Sequence, residues 1–314
     1  MNRAPVPPSA ATDHARAGLA FGLLAYGLWG VLPIYFKQVD QVPALDIVAH
    51  RIVWSLPFLF VLLAATRGWS QVRDGLRDRR TVLLLLTTSV LIAINWLLYV
   101  YAVISGHILA GSLGYYLNPL MNIVLGRFIL KEQLTGLQWA AVGIAAAGVA
   151  VLAAGAGTTL WISLTLCVTF STYGLLRKIA QVEAIAGLSI ETAILFPIAI
   201  GWLAIGAAAG QPVLGNNATE AWLLGLAGIV STTPLLLFTA AARRLRYSTL
   251  GMLQFLAPTL QFLLAVVLYD ELFTTAHAVA FGAIWIALLL YTTSLVRDLR
   301  ARRRAPPAPE LCEP

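Results

Sequence analysis

The stretch GSLGYYLNPLMNIVLGRFILKE, at 111–132, recurs later in the chain as LGMLQFLAPTLQFLLAVVLYDE, at 250–271. Pro119 aligns with Pro258, a separation of 139 residues (258 − 119 = 139), and the glutamates that end the two stretches align at the same separation. The register continues without gaps from about 82 to 152 of the first copy. A constant separation over this length indicates an internal repeat. The chain therefore consists of two copies of one unit.

The composition indicates that lipid is the solvent. Of the 314 residues, 59% are hydrophobic and 11% are charged, whereas soluble domains carry roughly 25% charged residues. The net charge of +7 does not indicate nucleic-acid binding, because almost all charges lie between apolar segments. The two cysteines, Cys167 and Cys312, lie in an apolar segment and in a polar tail, so we expect no disulfide. The sequence predicts no metal site and no cofactor.

Ten apolar segments are long enough to cross a hydrocarbon core about 30 Å thick, which needs about 20 helical residues. These predicted spans, numbered one to ten, are 17–37, 44–66, 81–104, 107–128, 135–154, 158–179, 186–208, 220–242, 247–269 and 275–296. The first resembles a signal peptide, but its length and the lack of a small-residue cleavage site after it favour a retained helix. The predicted fold class is therefore an all-α membrane protein.

Basic residues alternate sharply between successive connections. Nineteen of the 21 Lys and Arg residues lie in the tails or after even-numbered spans, and the other two are Lys37 and Arg51. The positive-inside rule then places both termini in the cytoplasm. Each copy holds five spans, an odd number, so the two repeats have inverted topology, as in many secondary transporters.

This organisation predicts four regions. They are a cytoplasmic N-terminal tail at 1–16, a first five-helix repeat at 17–155, a second at 156–296, and a charged, Pro-rich, disordered cytoplasmic tail at 297–314.

Several motifs together resemble the drug/metabolite transporter superfamily and, within it, the EamA-type, RarD-like branch, known for a chloramphenicol-sensitivity protein. The motifs are LPIYFK at 32–37, HRIVWS at 50–55, NWLLYVYAV at 95–103, SLGYYLNPLMNIVLG at 112–126, YGLLRK at 173–178 and TAAARRLRYSTLGMLQFLAPTLQFLLAV at 239–266. The resemblance extends over nearly all of 18–296. It implies a ten-helix bundle with a central cavity that moves small metabolites without hydrolysing ATP.

Polar side chains at equivalent places in the fourth and ninth spans are candidates for substrate binding. Tyr115, Asn118 and Asn122 share one helical face, and Gln254 and Gln261 lie on the corresponding part of the ninth span. In the third span, two further residues add a polar and aromatic wall. The full candidate set is Asn95, Tyr99, Tyr115, Asn118, Asn122, Gln254 and Gln261. The alternative is that these side chains only hold helices together, as amides do in membranes.

Charged and titratable residues near the spans form a second candidate set, for gating or ion pairing. The set is Asp46, His50, Arg51, Arg177, Lys178 and Glu191. Inverted topology separates Arg51 from Glu191 by about 10 Å of membrane depth, so we expect Glu191 to lie near Arg177 or Lys178. Asp46 is expected to support the outer end of the second span together with the histidine one turn later. Two interpretations stay open: a gate or proton relay, and local ion pairs that fix helix packing.

The sequence favours a secondary active transporter, an exporter, that moves a small organic metabolite or drug-like solute across the cytoplasmic (inner) membrane by alternating access. The expected partners are that solute, membrane lipids and a candidate coupling proton, with no nucleic acid. The alternative is a non-transporting membrane sensor or a membrane-embedded enzyme. However, no clustered catalytic set is present, and no connection exceeds about 15 residues, which is too short for a soluble sensor domain. A channel is a third option, although nothing resembles a selectivity filter.

Overall fold

The computed structural model describes residues 8–39, 41–104, 108–154, 160–268 and 275–304. Within these ranges the regular secondary structure is entirely α-helical, as the sequence predicted. The helices are α1 Pro8–Lys37, α2 Ala44–Thr66, α3 Trp69–Arg77, α4 Arg79–Ile104, α5 Ile108–Phe128, α6 Gly136–Ala153, α7 Leu160–Ile179, α8 Ala184–Ala208, α9 Ala218–Arg244, α10 Tyr247–Gln254, α11 Leu256–Leu268 and α12 Thr275–Arg304.

Helix starts recur at the separation found in the sequence. Adding 139 to the first residue of α4 gives 218, where α9 begins. The same addition carries the start of α5 from 108 to 247, where α10 begins, and the start of α6 from 136 to 275, where α12 begins. The repeated sequence therefore produces repeated local structure.

Among the described residues, eight helices are long and apolar enough to cross a membrane, namely α1, α2, α4, α6, α7, α8, α9 and α12. Large apolar side chains lie exposed on them, including Val61, Ile198 and Trp222 at 65%, 71% and 74%, as expected of a surface that lipid covers. The fourth predicted span is α5, and the ninth is divided into α10 and α11. The all-α membrane fold is confirmed, while the number of ten transmembrane helices stays a prediction.

The division between α10 and α11 lies at Phe255, one turn before Pro258. The Phe255 backbone N–H bonds the Met252 carbonyl at 3.3 Å, a tighter turn than the α-helical one. Proline has no N–H to bond the carbonyl four residues earlier, that of Gln254. The equivalent Pro119 lies inside α5 without dividing it.

One connection and the C-terminal tail depart from expectation. The Arg-rich connection after the second span contains α3, and Asp78 caps the start of α4 by accepting from the Thr81 hydroxyl at 2.5 Å and its N–H at 3.0 Å. These hydrogen bonds, the hydroxyl's first, lower the pKa of Asp78.

At the other end of the chain, α12 continues to Arg304, so the prediction of a disordered tail is wrong for 297–304. Seven of the eight residues at 297–304 are arginine, alanine or leucine, which are good helix formers, and the next proline is at 306. The predicted boundary between the repeats at 155, and Glu271, the repeat partner of Glu132, lie outside the described residues.

The chain divides into two compact units, 1–132 with 156–272 and 133–155 with 273–314. In the second unit, α6 and α12 pack against each other with small residues in contact. A Cβ added at Gly148 would lie 2.9 Å from the Ala283 side chain, and Thr135 Oγ1 lies 3.0 Å from Ser294 Oγ. The start of α6 therefore meets the end of α12, so the two helices are antiparallel. The first unit contains the candidate site.

Candidate functional site

A cavity of about 190 Å³ opens within the first unit, between helices of both repeats. Its wall comes from α1, α2, α4, α5, α7, α9, α10 and α11. The lining residues are Tyr26, Trp29, Leu32, Pro33, Phe36, Arg51, Asn95, Trp96, Tyr99, Tyr115, Phe170, Leu235, Gln254, Ala257, Pro258 and Gln261. The division between α10 and α11 lies at this wall.

Aromatic rings form much of the wall and pack against one another. Tyr99 and Tyr115 lie 5.5 Å apart between ring centroids, and Tyr115 meets Phe170 edge to face at 6.4 Å. Trp29 meets Phe170 at 6.0 Å, also edge to face. Rings in mutual contact have few conformations to lose when a ligand binds. The cavity is therefore a largely preformed aromatic pocket.

Five of the seven candidate substrate-binding residues line the cavity, namely Asn95, Tyr99, Tyr115, Gln254 and Gln261. The amide of Asn95 is already engaged, since its Nδ2 donates to Leu166 O and to Thr169 Oγ1, both at 3.0 Å. Gln261 is exposed and donates to Trp29 O at 3.0 Å. Part of the polar lining thus also ties helices together.

Asn118 and Asn122 are fully buried and are not among the lining residues. Asn122 Nδ2 donates to Gln254 Oε1 at 2.8 Å. With its amide oriented to satisfy its neighbours, Asn118 accepts from Gln254 Nε2 at 3.2 Å and donates to Gly114 O and Cys167 O, both at 3.3 Å. Gln254 therefore connects two buried asparagines of α5 to the cavity wall.

Arg51 of α2 is half-buried and lines the cavity. Its Nε donates to Ser231 Oγ on α9 at 2.7 Å, and its guanidinium carbon lies 4.7 Å from the ring centroid of Trp96. Close packing of the two helices fixes this position, since a Cβ added at Gly228 would lie 2.2 Å from the backbone of Trp54. Arg51 is therefore a positioned cation at the wall.

Glu191 lies away from this wall, in a buried ion pair with Arg177. Arg177 Nε and Glu191 Oε1 are 3.7 Å apart, with exposed fractions of 0% and 1%. Glu191 also accepts from Thr88 Oγ1 at 2.5 Å and from the Tyr173 hydroxyl at 3.4 Å. Arg177 donates to the Ala184 carbonyl at 3.2 Å. The pair joins α7, α8 and α4.

A void of about 20 Å³ lies between Glu191 and Ser231, the hydrogen-bond partner of Arg51. The polar residues that line it include Ser55, Thr192, Ser231, Thr232 and Glu191. A space of this size with several polar partners can hold one water molecule.

The other three charged or titratable candidates bind at separate places. Asp46 Oδ1 accepts from Trp202 Nε1 at 2.8 Å, and His50 Nε2 lies 2.6 Å from Val213 O, so both tie α2 to α8 and the connection after it. Lys178 donates to the carbonyls of Ala242, at 2.8 Å, and Leu245, at the carboxyl end of α9. A cation there satisfies helix-end carbonyls. The structure therefore does not gather the six residues into one cluster.

Sequence reasoning missed the contribution of α1 to the cavity. Tyr26, Trp29, Pro33 and Phe36 are spaced i, i+3, i+7 and i+10, which is one helical face, and all four line the cavity. That spacing in the sequence could have predicted that one face of α1 contributes to the cavity.

Sequence reasoning also missed the role of Glu132. Its carboxylate accepts from the backbone N–H groups of Tyr247 and Ser248, at 2.5 and 3.0 Å, and from the Ser248 hydroxyl at 2.6 Å. It thereby caps the start of α10. None of these three hydrogen bonds could be derived from the positions of the residues in the sequence. Across the described residues, no group of three His, Cys, Asp or Glu side chains could hold a metal ion.

An all-helical membrane protein with an aromatic and amide-lined cavity between two repeats is the architecture of a small-molecule transporter. Residues 16–154 match the EamA-like transporter family. An uncharacterized transporter of Pseudomonas aeruginosa is 43% identical over 92% of this chain and 98% of its own. The protein RarD of Escherichia coli is 43% identical over 91% and 97%. A crystal structure shares the fold, with a TM-score of 0.70, 22% identity, and 90% and 99% coverage.

The chain therefore belongs to the EamA-like transporter family, within the drug/metabolite transporter superfamily, and its relatives include RarD proteins. This confirms the resemblance seen in the motifs and the all-α fold. It also confirms that the class is a transporter and not an enzyme.

Proposed function

We propose that the protein is a secondary active exporter, which moves a small organic metabolite or drug-like solute across the cytoplasmic membrane by alternating access. The observation that carries this proposal is the cavity itself, whose wall draws on equivalent helices of both repeats, including α5 and its counterpart α10. In a pair of inverted repeats, a rearrangement of one copy toward the other's conformation would close this cavity on one side and open it on the other.

The orientation and driving force belong to the same proposal. The distribution of basic residues supports cytoplasmic termini. A proton is the candidate coupling ion for an exporter in this membrane. We propose that Glu191 is not its carrier, because its carboxylate is held by Arg177, Thr88 and Tyr173.

The test begins with proteoliposomes that contain the purified protein and are preloaded with a metabolite extract of bacterial cells. Mass spectrometry of the exterior identifies solutes released only when the protein is present. Each such solute is then tested for saturation and for counterflow, in which unlabelled solute inside drives labelled solute inward. We expect saturable flux with counterflow. Flux that rises linearly with concentration, without counterflow, would indicate a channel and overturn the proposal.

A further inference from the structure

We infer that the solute is an organic monoanion, a carboxylate on an aromatic or bulky apolar body, and that Arg51 binds its carboxylate. This inference rests on the proposed function and names the substrate class of the same cavity. The observation behind it is the positive charge of Arg51 at the cavity wall. The sequence alone did not place Arg51 at the cavity.

Arg51 is the charged residue among those that line the cavity, and no acidic side chain is among them in the described part of the chain. The described ion pairs join Arg177 to Glu191, Arg243 to Glu183 and Arg246 to Glu132, and none includes Arg51. Asp46, the acid five residues earlier on α2, is bonded to Trp202. The guanidinium therefore lacks a counterion from the described protein.

The neighbours of Arg51 are neutral donors, acceptors and rings. Ser231 accepts from Nε, Trp96 lies beneath the guanidinium, and the phenols of Tyr35, Tyr99 and Tyr115 are close enough to interact with it electrostatically. A guanidinium has five N–H donors, and the Ser231 bond uses one. The two terminal nitrogens thus remain available, and their spacing matches the two oxygens of a carboxylate.

A charge held inside a membrane protein without a partner is costly, and such residues usually mark a substrate path. A single cation balances a single negative charge, which favours a monocarboxylate over a phosphate or a dicarboxylate. The rings of Trp29, Tyr115 and Phe170 would cover the apolar body. Aromatic walls also attract organic cations, but Arg51 repels them and occupies one face of Trp96. The wall therefore discriminates against amines.

The experiment measures binding to the purified full-length protein by tryptophan fluorescence and isothermal titration calorimetry. The probes are matched sets of benzoate, 3-phenylpropanoate and indole-3-acetate, each with its neutral amide and its amine. Sodium chloride serves as the inorganic-anion probe. We expect the carboxylates to bind at least about tenfold more tightly than their amides, as for hydrogen bonds to a charged group, and the amines to show no binding.

Three variants test the assignment. Arg51→Gln should reduce carboxylate affinity at least about tenfold while changing amide affinity by less than about threefold. Arg51→Lys keeps the positive charge but loses the planar guanidinium with its paired N–H donors. It should therefore still prefer carboxylates to amides, but bind the carboxylates more weakly. Arg73→Gln, an exposed change of the same charge on α3, should bind like the wild type. Because Arg51 lacks an acidic partner, Arg51→Gln should unfold at the wild-type temperature or above it.

The inference would be overturned by equal affinity for carboxylates, amides and amines, or by the absence of binding by every carboxylate. It would also be overturned if chloride bound as tightly as the carboxylates, which would mean that the site binds an inorganic anion only. A third contradiction would be loss of folding in Arg51→Gln without loss of folding in Arg73→Gln. The inference and the proposed function fail separately. Carboxylate binding that depends on Arg51 but shows no counterflow would contradict the transport proposal alone. Counterflow of neutral or cationic solutes unaffected by Arg51→Gln would contradict this inference alone.

Discussion

Gln254 is shared between the cavity and the amides behind it, since it bonds both Asn118 and Asn122 while lining the wall. Replacing it by leucine leaves two buried asparagine groups without partners. We expect Gln254→Leu to lower the free energy of unfolding by about 1–3 kcal/mol and to raise the half-saturation concentration several-fold. Thermal unfolding in detergent and solute uptake measure the two effects.

Gln261→Leu is the matched control, because Gln261 lines the same cavity but is exposed and bonds one backbone carbonyl. It should unfold close to the wild-type temperature. Equal stability of the two variants would contradict the account of the amide network.

The ion pair of Glu191 and Arg177 gives a second expectation at this scale. Glu191→Gln leaves a buried guanidinium without its counterion, which should cost roughly 3–5 kcal/mol. Stability and every mode of transport, including solute exchange and pH-driven flux, should therefore fall together. Intact stability with loss of pH-driven flux alone would instead identify Glu191 as a proton carrier.

The double variant Glu191→Leu with Arg177→Met serves as the control for the single change. It removes both charges and replaces them with apolar groups. It should be more stable than Glu191→Gln, because no unpaired charge stays buried.

At the scale of helices, the contact between α2 and α9 places Arg51. Gly228 allows this close contact because it has no side chain: a Cβ added there would lie only 2.2–2.4 Å from backbone atoms of Trp54 and Ser55. Gly228→Ala should therefore push the helices apart and lower the free energy of unfolding by about 1–3 kcal/mol, the usual cost of overpacking. Thermal unfolding and carboxylate affinity report the two consequences.

Gly225→Ala, three residues earlier on the same helix, is the control because nothing lies within 4 Å of its added Cβ. It should be neutral or slightly stabilising, since alanine favours a helix more than glycine. A Gly228→Ala variant as stable as Gly225→Ala would show that the close contact is absent.

The sequence was sufficient for most helices because lipid imposes a length and a composition on each span. It was not sufficient for the division at Phe255, since Pro119 and Pro258 are equivalent in the repeat but only the second is associated with an interrupted helix. The short helix α3 carries Trp69, Val72 and Leu76 at i, i+3 and i+7, but it is too short and polar to be found as a span.

Within the candidate site, the sequence was more successful in predicting which helices meet. It was less successful in predicting the directions in which individual side chains point. Tyr115, Asn118 and Asn122 were assigned to one face, yet Tyr115 lines the cavity and the asparagines lie behind it. A helical face spans about 100°, so its edges can meet different neighbours. Only the packing of α10 against α5 decides which edge faces the cavity.

At the scale of the whole molecule, the arrangement of basic residues predicts cytoplasmic termini. A cysteine at Asn216, exposed in the connection before α9, should react with an impermeant thiol reagent added to intact cells. A cysteine at Arg73, exposed on α3, should react only after the membrane is permeabilised. Gly75 is unsuitable for this purpose because it is buried against Val182 and Ile190. Labelling of Arg73→Cys in intact cells would reverse the orientation.

Access to the cavity from both sides is the central claim, and a single cysteine at the wall tests it most directly. Gln261→Cys, in a Cys312→Ser background with the buried Cys167 retained, is reconstituted in vesicles of one orientation. An impermeant, negatively charged thiosulfonate is then added outside or enclosed inside. We expect labelling from either side, and a transported solute should slow both reactions. Labelling from one side alone, whatever the solute present, would contradict alternating access.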